Sequence, residues 1–368
     1  MRVLILNERD AQHPRAGGAE THLVEIFRRL VARGLEATLA CSSFPGASTR
    51  DSQHGLQVER LGGLPLYYPR AAWRCARETR RKRFDVVVDC LNKLPFLAPA
   101  YSRVPVLALC HHLFGTTAFR QVAWPVAATV WGVERLIPRV YSRSRFATIS
   151  ESSRDDLIAR GISAERIEVH HPGIREPEIE AREVTERPAQ IAYLGRLEPY
   201  KNVDVALGAL ARVARKVEAA SLVIIGTGSD RKRLEGIASR LGVAERTRFA
   251  GFVEADERDR ILAASRVCVC PSSKEGWGLT VIESNALGTP NVASDAAGLR
   301  DSVLHGETGF LVREGDEEGF ATRIEELLLD DTLALRMSRA ATRWAQGFRW
   351  DEAADRMEGA LDAAVRED

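Results

Sequence analysis

The sequence predicts an α/β protein of two domains, each built on a doubly wound parallel sheet, with the two sheets facing a central cleft. Its length of 368 residues exceeds what one ordinary hydrophobic core accommodates. Short apolar segments alternate with amphipathic segments along the chain, a pattern typical of parallel sheets covered by helices on both faces. The alternation stops at 174–188, an acidic segment with two prolines, which we interpret as the linker between the domains.

The first domain is predicted at 1–173. Its amphipathic segments, 20–34 and 69–84, have the apolar spacing of helices that cover a sheet. The C-terminal segment 347–368 also has a helical pattern, and we assign it to this domain. Strands are expected where short apolar segments occur, at 2–7, 36–42, 85–90 and 104–110.

The second domain, 189–346, repeats the same alternation. In open parallel sheets, ligands bind beyond the carboxyl ends of the strands, where helix N-termini present free N–H groups. Residues that bind a ligand are therefore expected in the loops that follow these strands. The strands are expected at 190–195, 221–226, 247–253, 266–270, 290–295 and 309–312.

Charge is distributed unevenly along the chain. The formal net charge is +1, but residues 1–170 contain 25 basic and 16 acidic side chains, whereas the remainder contains 27 and 35. The densest basic segment, 69–84, is either a solvated helix face or a surface for anionic lipid head groups or an anionic acceptor. No nucleic-acid partner is expected. The arginines of this segment at helical spacing are Arg70, Arg74, Arg77 and Arg81.

Cysteine usage and hydropathy indicate the compartment. The six cysteines show no metal-binding spacing, which favours thiols in a reducing cytoplasm. The longest apolar segment, 122–133, contains Pro125 and is shorter than the roughly 20 residues that a membrane-spanning helix needs. We expect a cytoplasmic protein, in peripheral contact with the inner face of the membrane if the basic surface binds lipid.

Two loops of the second domain have the residue types of a phosphate site. Arg196 and Lys201 follow the strand that ends at Gly195, and together they would clamp a pyrophosphate or else lie solvated in a loop. The next strand leads into Gly226 and Gly228, which lack the third glycine of a dinucleotide fingerprint. This second loop is therefore expected to form a tight turn near a base or phosphates.

The segment "SSKEGWGLTVIES" (272–284) is predicted to form a third ligand-binding loop. Glu275 lies in the loop, Gly276 and Gly278 allow close approach to a ligand, and Glu283 falls about one turn into the following helix. Two carboxylates at this separation suit a ligand rich in hydroxyl groups. The alternative is that Glu275 is solvated and Glu283 only offsets the helix dipole.

An ordered set of motifs along nearly the whole chain resembles the retaining glycosyltransferases of family 4, also called glycosyl transferases group 1. The motifs are "GGAE", "TISESSRDDL", "HHPGI", "GRLEPYKN", "EGWGLTVIESNALGTP" and "GETGFLV". The resemblance implies a GT-B architecture of two Rossmann-like domains. It also implies transfer of a sugar from a nucleotide-diphosphate sugar to a hydroxyl acceptor in glycolipid, polysaccharide or glycoconjugate biosynthesis.

The same resemblance implies roles for individual residues. Arg196 and Lys201 would bind the donor diphosphate, Glu275 the transferred sugar and Glu283 the ribose. His111 would lie near the reacting sugar, although its neighbour His112, or a purely structural buried histidine, stays open as an alternative. Further donor-binding positions are Gly17, Gly18, Gly195, Gly226, Gly276, Trp277, Gly278, Leu279 and Thr280.

The chain departs from the family pattern at two places. Where the family often has Gly-Gly followed by Glu, the segment 296–303 has one glycine and Asp301, which puts the shape of the sugar or base pocket in doubt. Trp277 also stands where the family usually has Phe, a difference that is conservative in size.

The expected mechanism uses no cofactor and no obligatory metal, since the sequence has no Asp-x-Asp triplet. The cations would stabilise the leaving diphosphate, and that phosphate would help to deprotonate the acceptor in a front-face reaction. Two alternatives remain: a sugar-nucleotide epimerase of the same architecture, and a non-catalytic protein that binds nucleotide sugars or a membrane surface.

Overall fold

A computed structural model describes residues 1–92, 94–117, 119 and 123–367. It divides the chain into two compact units. The first unit comprises 1–173 together with 349–368, and the second comprises 174–348. Each unit has one sheet and its own hydrophobic core, so the protein consists of two parallel-sheet α/β domains.

The first unit contains an eight-stranded sheet. Its order is β3-β4-β2-β1-β5-β6-β7-β8, and all neighbours are parallel except β3 and β4, which form an antiparallel pair at the edge. The central strands are buried on both faces, as expected for strands covered by helices on each side. The strands are Arg2–Leu6 (β1), Glu36–Cys41 (β2), Arg50–Gln53 (β3), Leu56–Arg60 (β4), Val86–Cys90 (β5), Val106–Cys110 (β6), Arg145–Thr148 (β7) and Ile167–Val169 (β8).

Helices cover both faces of this sheet. On one face α1 and the C-terminal helix α13 pack against alternate strand residues such as Ile5 and Val88. On the other face α2, α4 and α5 pack against the intervening residues, including Leu4 and Val87. The helices are Gly18–Ala32 (α1), Leu64–Arg80 (α2), Trp124–Glu134 (α3), Ile137–Val140 (α4), Glu151–Ala159 (α5) and, at the C-terminus, Trp350–Arg366 (α13).

The second unit contains a six-stranded, all-parallel sheet in the order β11-β10-β9-β12-β13-β14. Its strands are Gln190–Leu194 (β9), Ser221–Ile225 (β10), Thr247–Gly251 (β11), Val267–Cys270 (β12), Asn291–Ser294 (β13) and Gly309–Val312 (β14). Its helices are Val203–Val213 (α6), Arg231–Arg240 (α7), Ala255–Ala264 (α8), Leu279–Ala286 (α9), Leu299–Ser302 (α10), Glu317–Leu329 (α11) and Asp331–Ala345 (α12). The order reverses between β9 and β12, and such a reversal is where ligands bind in open α/β sheets.

The segment 174–188, interpreted from its composition as a linker, lies within the second unit. Arg187 is buried there, and its guanidinium donates hydrogen bonds to the carbonyls of Ser265 and Leu287. Burial lowers the pKa of Arg187 to about 10. The end of this segment is therefore anchored in the domain through backbone carbonyls that the sequence pattern does not reveal.

Only part of the basic segment 69–84 is helical, and several of its arginines are engaged in ion pairs. Helix α2 ends at Arg80, so Arg81 lies outside the helix in which its spacing places it. Glu59 pairs with Arg74, and the buried Glu78 lies within 4.0 Å of Arg74, Arg77, Arg81 and Arg83. In the described part of the chain, no helix is both long and apolar enough to cross a membrane.

Candidate functional site

Four loops of the second unit form the candidate site, and they follow β10, β9, β12 and β13. These strands are adjacent in the sheet, so their carboxyl ends lie side by side. Backbone hydrogen bonds join the loops. The amide of Leu197 donates to Thr227, and the amide of Glu275 donates to Ala297. The sheet order therefore brings together the segments that the sequence analysis singled out separately.

Glycines let these loops approach one another closely. A Cβ atom on Gly226 would lie 1.9 Å from the carbonyl oxygen of Gly195, and Gly226 has φ +135°. A Cβ atom on Gly298 would lie 2.4 Å from the carbonyl oxygen of Glu275. A side chain fits at neither position, because the clashing atoms belong to the backbone. Gly298 is the one glycine of the segment that departs from the family pattern.

Lys201 and Glu275 form an ion pair between the first and third of these loops in chain order. The Lys201 Nζ and Glu275 Oε1 atoms are 2.5 Å apart, and both side chains are largely buried, at 14% and 18% exposure. Burial by itself lowers the pKa of Lys201, but the Glu275 carboxylate outweighs this effect, so the pKa lies above its ordinary value. Lys201 is therefore a permanent cation at the carboxyl end of the sheet.

The side chain of Tyr200 contacts both Arg196 and Lys201. The Arg196 guanidinium donates to the Tyr200 hydroxyl at 2.9 Å, and the Lys201 ammonium lies 5.4 Å from the centre of the Tyr200 ring. The Tyr200 carbonyl in turn accepts hydrogen bonds from the backbone and side chain of Ser273. Tyr200 thus connects the two predicted phosphate-binding cations. Tyr200 is not among the residues predicted from the sequence, although its place directly before Lys201 is a usable signal.

The loop before α9 has the conformation that its glycines suggest. Gly278 caps the helix with φ +97°, and Leu279 and Thr280 provide its first N–H groups, which have no acceptor within a helix. Gly276 precedes Trp277, whose side chain is buried and packs against Phe348 with ring centres 5.2 Å apart. The indole therefore packs in the interior of the second unit.

Glu283 lies in α9 and is paired with a cation that the sequence analysis did not identify. Its Oε1 atom accepts a hydrogen bond from Arg258 on α8 at 2.8 Å. Burial raises the pKa of Glu283 above its ordinary value, and the Arg258 charge opposes this shift. No motif reveals the Arg258–Glu283 pair, because its members lie on separate helices 25 positions apart.

The predicted residues of the first unit form a separate group. Gly17 precedes α1, and its N–H donates to the Glu20 carboxylate at 2.7 Å, whereas Gly18 is the first residue of the helix. His111 follows β6 and is buried, and its Nε2 atom lies 3.1 Å from Nδ1 of the buried His22 on α1. His112 lies outside this pair and packs against Phe114.

Burial fixes the charge state of the histidine pair. It lowers the pKa of His111 to about 3 and that of His22 well below its ordinary value, so both rings are neutral near pH 7. One ring donates its proton to the other across the 3.1 Å contact. Within the described structure, the outer nitrogens, Nδ1 of His111 and Nε2 of His22, have no hydrogen-bond partner. The pair therefore has the capacity for one further donor and one further acceptor contact.

Residues with metal-binding side chains are not clustered in the described structure. Across residues 1–92, 94–117, 119 and 123–367, no group of three or more His, Cys, Asp or Glu side chains has an arrangement that could hold a metal ion. The cationic groups at the candidate site are side chains of the protein itself.

Two family models match the chain in succession. The model described as Glycosyltransferase Family 4 matches residues 16–176, and the model described as Glycosyl transferases group 1 matches residues 175–344. The D-inositol 3-phosphate glycosyltransferase of Streptomyces avermitilis is 34% identical over 95% of this chain and 84% of its own length. The GDP-mannose-dependent alpha-(1-6)-phosphatidylinositol monomannoside mannosyltransferase of Mycolicibacterium smegmatis is 30% identical over 92% of both chains.

The fold also matches solved structures. The crystal structure of Anabaena HepE in complex with UDP-glucose superposes with a TM-score of 0.79 and covers 99% of this chain and 100% of that chain. The sequence identity is 21%, so this likeness shows the fold alone.

Proposed function

Because the chain belongs to the glycosyltransferases of group 1 and family 4, with their GT-B architecture of two parallel-sheet α/β domains, we propose that its donor is a nucleotide-diphosphate sugar. The protein is a glycosyltransferase. We assign it the transfer of a hexose to a hydroxyl acceptor with retention of the anomeric configuration, in glycolipid, polysaccharide or glycoconjugate biosynthesis.

The observation that carries this proposal is the joining of the four loops, which hold the two cations and Glu275. Glu283 lies about one turn into α9, the helix that follows the third loop. Arg196 and Lys201 lie at one strand end with Tyr200 between them, an arrangement that suits the two phosphates of a diphosphate. The α9 N-terminus adds N–H groups and a favourable dipole for the same charge. Glu275 and Glu283 place carboxylate acceptors for the hydroxyls of the sugar and of the ribose.

The proposed mechanism uses these groups to stabilise the leaving group. Sugar transfer passes through an oxocarbenium-like state in which negative charge grows on the departing diphosphate. Lys201 would neutralise that charge without a proton transfer, because its raised pKa keeps it cationic. In the front-face route, an oxygen of the leaving phosphate accepts the proton of the acceptor hydroxyl. Cations of the protein would thus do the work that metal ions do in other transferases.

The ion pair between Lys201 and Glu275 has a consequence for donor binding. In the described structure each neutralises the other, so a donor must compete for both. A diphosphate that approaches Lys201 releases Glu275 to accept a hydrogen bond from a sugar hydroxyl. Phosphate and sugar recognition would then be coupled at one contact. A nucleoside diphosphate alone satisfies only one of the two groups.

His111 is proposed to lie near the reacting sugar. The buried pair with His22 supports this role, because a neutral imidazole with an open ring nitrogen is suited to a hydroxyl group. His112 is the weaker candidate, because it is not part of this pair.

A donor screen tests the proposed function. The protein is incubated with UDP-, GDP-, ADP- and TDP-sugars, and thermal stabilisation is measured for each, since a ligand that binds only the folded state raises apparent stability. We expect stabilisation by sugars of one base, of about 3 kcal/mol at a ligand concentration 100 times the dissociation constant. An epimeric nucleotide sugar formed without acceptor would establish the epimerase alternative. Absence of stabilisation by all four would contradict a nucleotide-sugar donor.

Association with anionic membranes is proposed for the surface around α2. Trp73 is 61% exposed there. The relative from Mycolicibacterium smegmatis is named as a phosphatidylinositol monomannoside mannosyltransferase. Arg80 and Lys82 form no ion pair within the described structure, unlike the arginines around Glu78, so they are the cations most available to lipid phosphates.

Removing these two charges is expected to weaken the association. We predict that R80Q with K82N lowers co-sedimentation with phosphatidylglycerol vesicles at low salt by about tenfold or more, since each basic residue near an anionic surface contributes about 1 kcal/mol. The matched control is K232Q with R240Q, which removes two exposed charges from α7. If wild-type protein fails to sediment with these vesicles, or both double variants behave alike, the α2 surface is not a membrane contact.

A further inference from the structure

A short network of alternating charges holds the carboxylate of Glu283 in place. Arg258 on α8 donates from Nη1 to Glu283 Oε1 at 2.8 Å, and its Nε and Nη2 atoms lie 2.8 and 2.7 Å from Asp259 Oδ1. The guanidinium group is planar and rigid, so contacts at both ends of its fork define its orientation. Arg258 is thus bound on one side to its neighbour on α8 and on the other to α9.

Asp259 gives this network a fixed point. Its side chain is only 4% exposed, and its second oxygen accepts a hydrogen bond from Arg175 at 3.3 Å. Arg175 also pairs with Asp256 at 2.7 Å. A buried carboxylate with two cationic partners has little freedom to move, and it therefore determines where Arg258 can lie. The order of the network is Arg175, Asp259, Arg258 and Glu283.

One oxygen of Glu283 remains available to a ligand. Arg258 uses Oε1, and no hydrogen bond within the described structure engages Oε2. The Glu283 side chain is 22% exposed, so that oxygen can be reached. Without Arg258, this carboxylate would lose the contact that sets its rotamer, and burial would favour its protonated form, since burial already raises its pKa. Arg258 therefore supplies both orientation and charge.

We propose that Arg258 is a positioning residue that fixes the Glu283 carboxylate for the ribose hydroxyls of the donor. This inference rests on the proposed function, in which Glu283 binds the ribose. It assigns to Arg258 no direct contact with the nucleotide. Asp259 holds Arg258 in this orientation, and Arg175 in turn binds Asp259. Ribose recognition in this protein thus depends on a network that begins at the start of the second unit.

The experiment compares nucleotides with and without ribose hydroxyls. Calorimetric titration gives the dissociation constants of UDP, GDP, ADP and TDP, and of the 2′,3′-dideoxynucleoside diphosphate with the preferred base. The proteins are wild type, R258A, R258K, E283Q and the double variant R258A/E283Q. The control is R260A on the same helix, because Arg260 is exposed and pairs only with Glu257 within the described structure. Urea unfolding of each variant shows that the compared proteins are folded.

R258A is expected to reduce the preference for the hydroxyl-bearing nucleotide by about tenfold, as loss of an orienting partner commonly does. Its affinity for the dideoxy compound should stay within about twofold of wild type, whereas damage to the fold would weaken both ligands. R258K should recover part of the preference. In the E283Q background, R258A should have no further effect on that preference, and R260A should match wild type throughout.

Two results would overturn the inference while leaving the proposed function intact. One is an equal loss of affinity for both ligands in R258A, which would indicate direct contact or general damage. The other is an effect of R258A that adds in full to that of E283Q. A wild type that binds the nucleotide without preferring ribose hydroxyls rejects the role of Glu283 and the inference with it. A wild type that binds none of the four nucleotides contradicts the proposed function itself.

Discussion

Replacement of Lys201 by alanine is expected to lower kcat by about 10²- to 10³-fold, which corresponds to about 3–4 kcal/mol of lost transition-state stabilisation. Lys201 is the largely buried cation at the strand end. In the proposed mechanism its charge stabilises the diphosphate on which negative charge grows. A buried point charge acts more strongly than one in water, because little solvent screens it. Turnover is measured as release of the nucleoside diphosphate with the donor that the screen identifies.

Two further variants separate this role from general effects. K216A removes an exposed lysine of the same unit that pairs with Glu325, and it should leave turnover unchanged. K201R keeps the charge but replaces a compact ammonium with a larger planar group, so we expect partial activity. Near-normal turnover of K201A would reject the assignment of Lys201 to the diphosphate. The pH–rate profile of wild type should show no loss below pH 10 that is due to Lys201, because its pKa is raised.

Replacement of Gly226 by alanine is expected to destabilise the protein by about 3 kcal/mol, and to weaken donor binding as well. The added Cβ would lie 1.9 Å from the Gly195 carbonyl oxygen, at a residue with φ +135°. Relief requires movement of the backbone between β9 and Arg196. The urea midpoint measures the stability, and titration with the preferred nucleoside diphosphate measures the binding.

Gly236 provides the matched control for this substitution. It lies in the middle of α7 with no atom within 4 Å of an added Cβ. G236A is therefore expected to raise stability by about 0.5–1 kcal/mol, since alanine favours the helix over glycine. If G226A and G236A unfold at the same urea concentration, the close approach at Gly226 does not constrain the loop.

The strands that the sequence predicts correctly share one property. Those at β1, β2, β5 and β6, and all six of the second unit, are short apolar runs, which local hydropathy reveals. Four strands of the first unit are not predicted from the sequence, namely β3, β4, β7 and β8. β3, "RDSQ", is polar because it forms an antiparallel edge, and β8 has only three residues. Such strands form because a neighbouring strand offers its hydrogen bonds: β4 does so for β3, and β7 does so for β8.

The basic segment 69–84 shows that the ion-pair partners of charged residues are also not evident from local sequence. Its arginines are visible as a helical pattern, but one partner of Arg74, Glu59, belongs to β4, 15 residues earlier in the chain. Net charge along the chain therefore overstates how many cations are free at this surface. Burial of Trp277 was also not evident, since the same glycine-flanked position could present the ring to a ligand or to the core.

The sequence by itself determined the fold class, the family and the loops that hold the candidate donor residues. The fold class depends on the alternation of short apolar runs with amphipathic segments. The family and the loops depend on short motifs of glycines and charged residues, which are also local features of the sequence. Only the tertiary structure decided which charges neutralise one another, Lys201 with Glu275 and Arg258 with Glu283. It also decided that the neutral rings of His22 and His111 lie in contact. The physical reason is that ion pairs and ring contacts depend on distances in space. Sheet order brings such residues together from segments far apart in the chain.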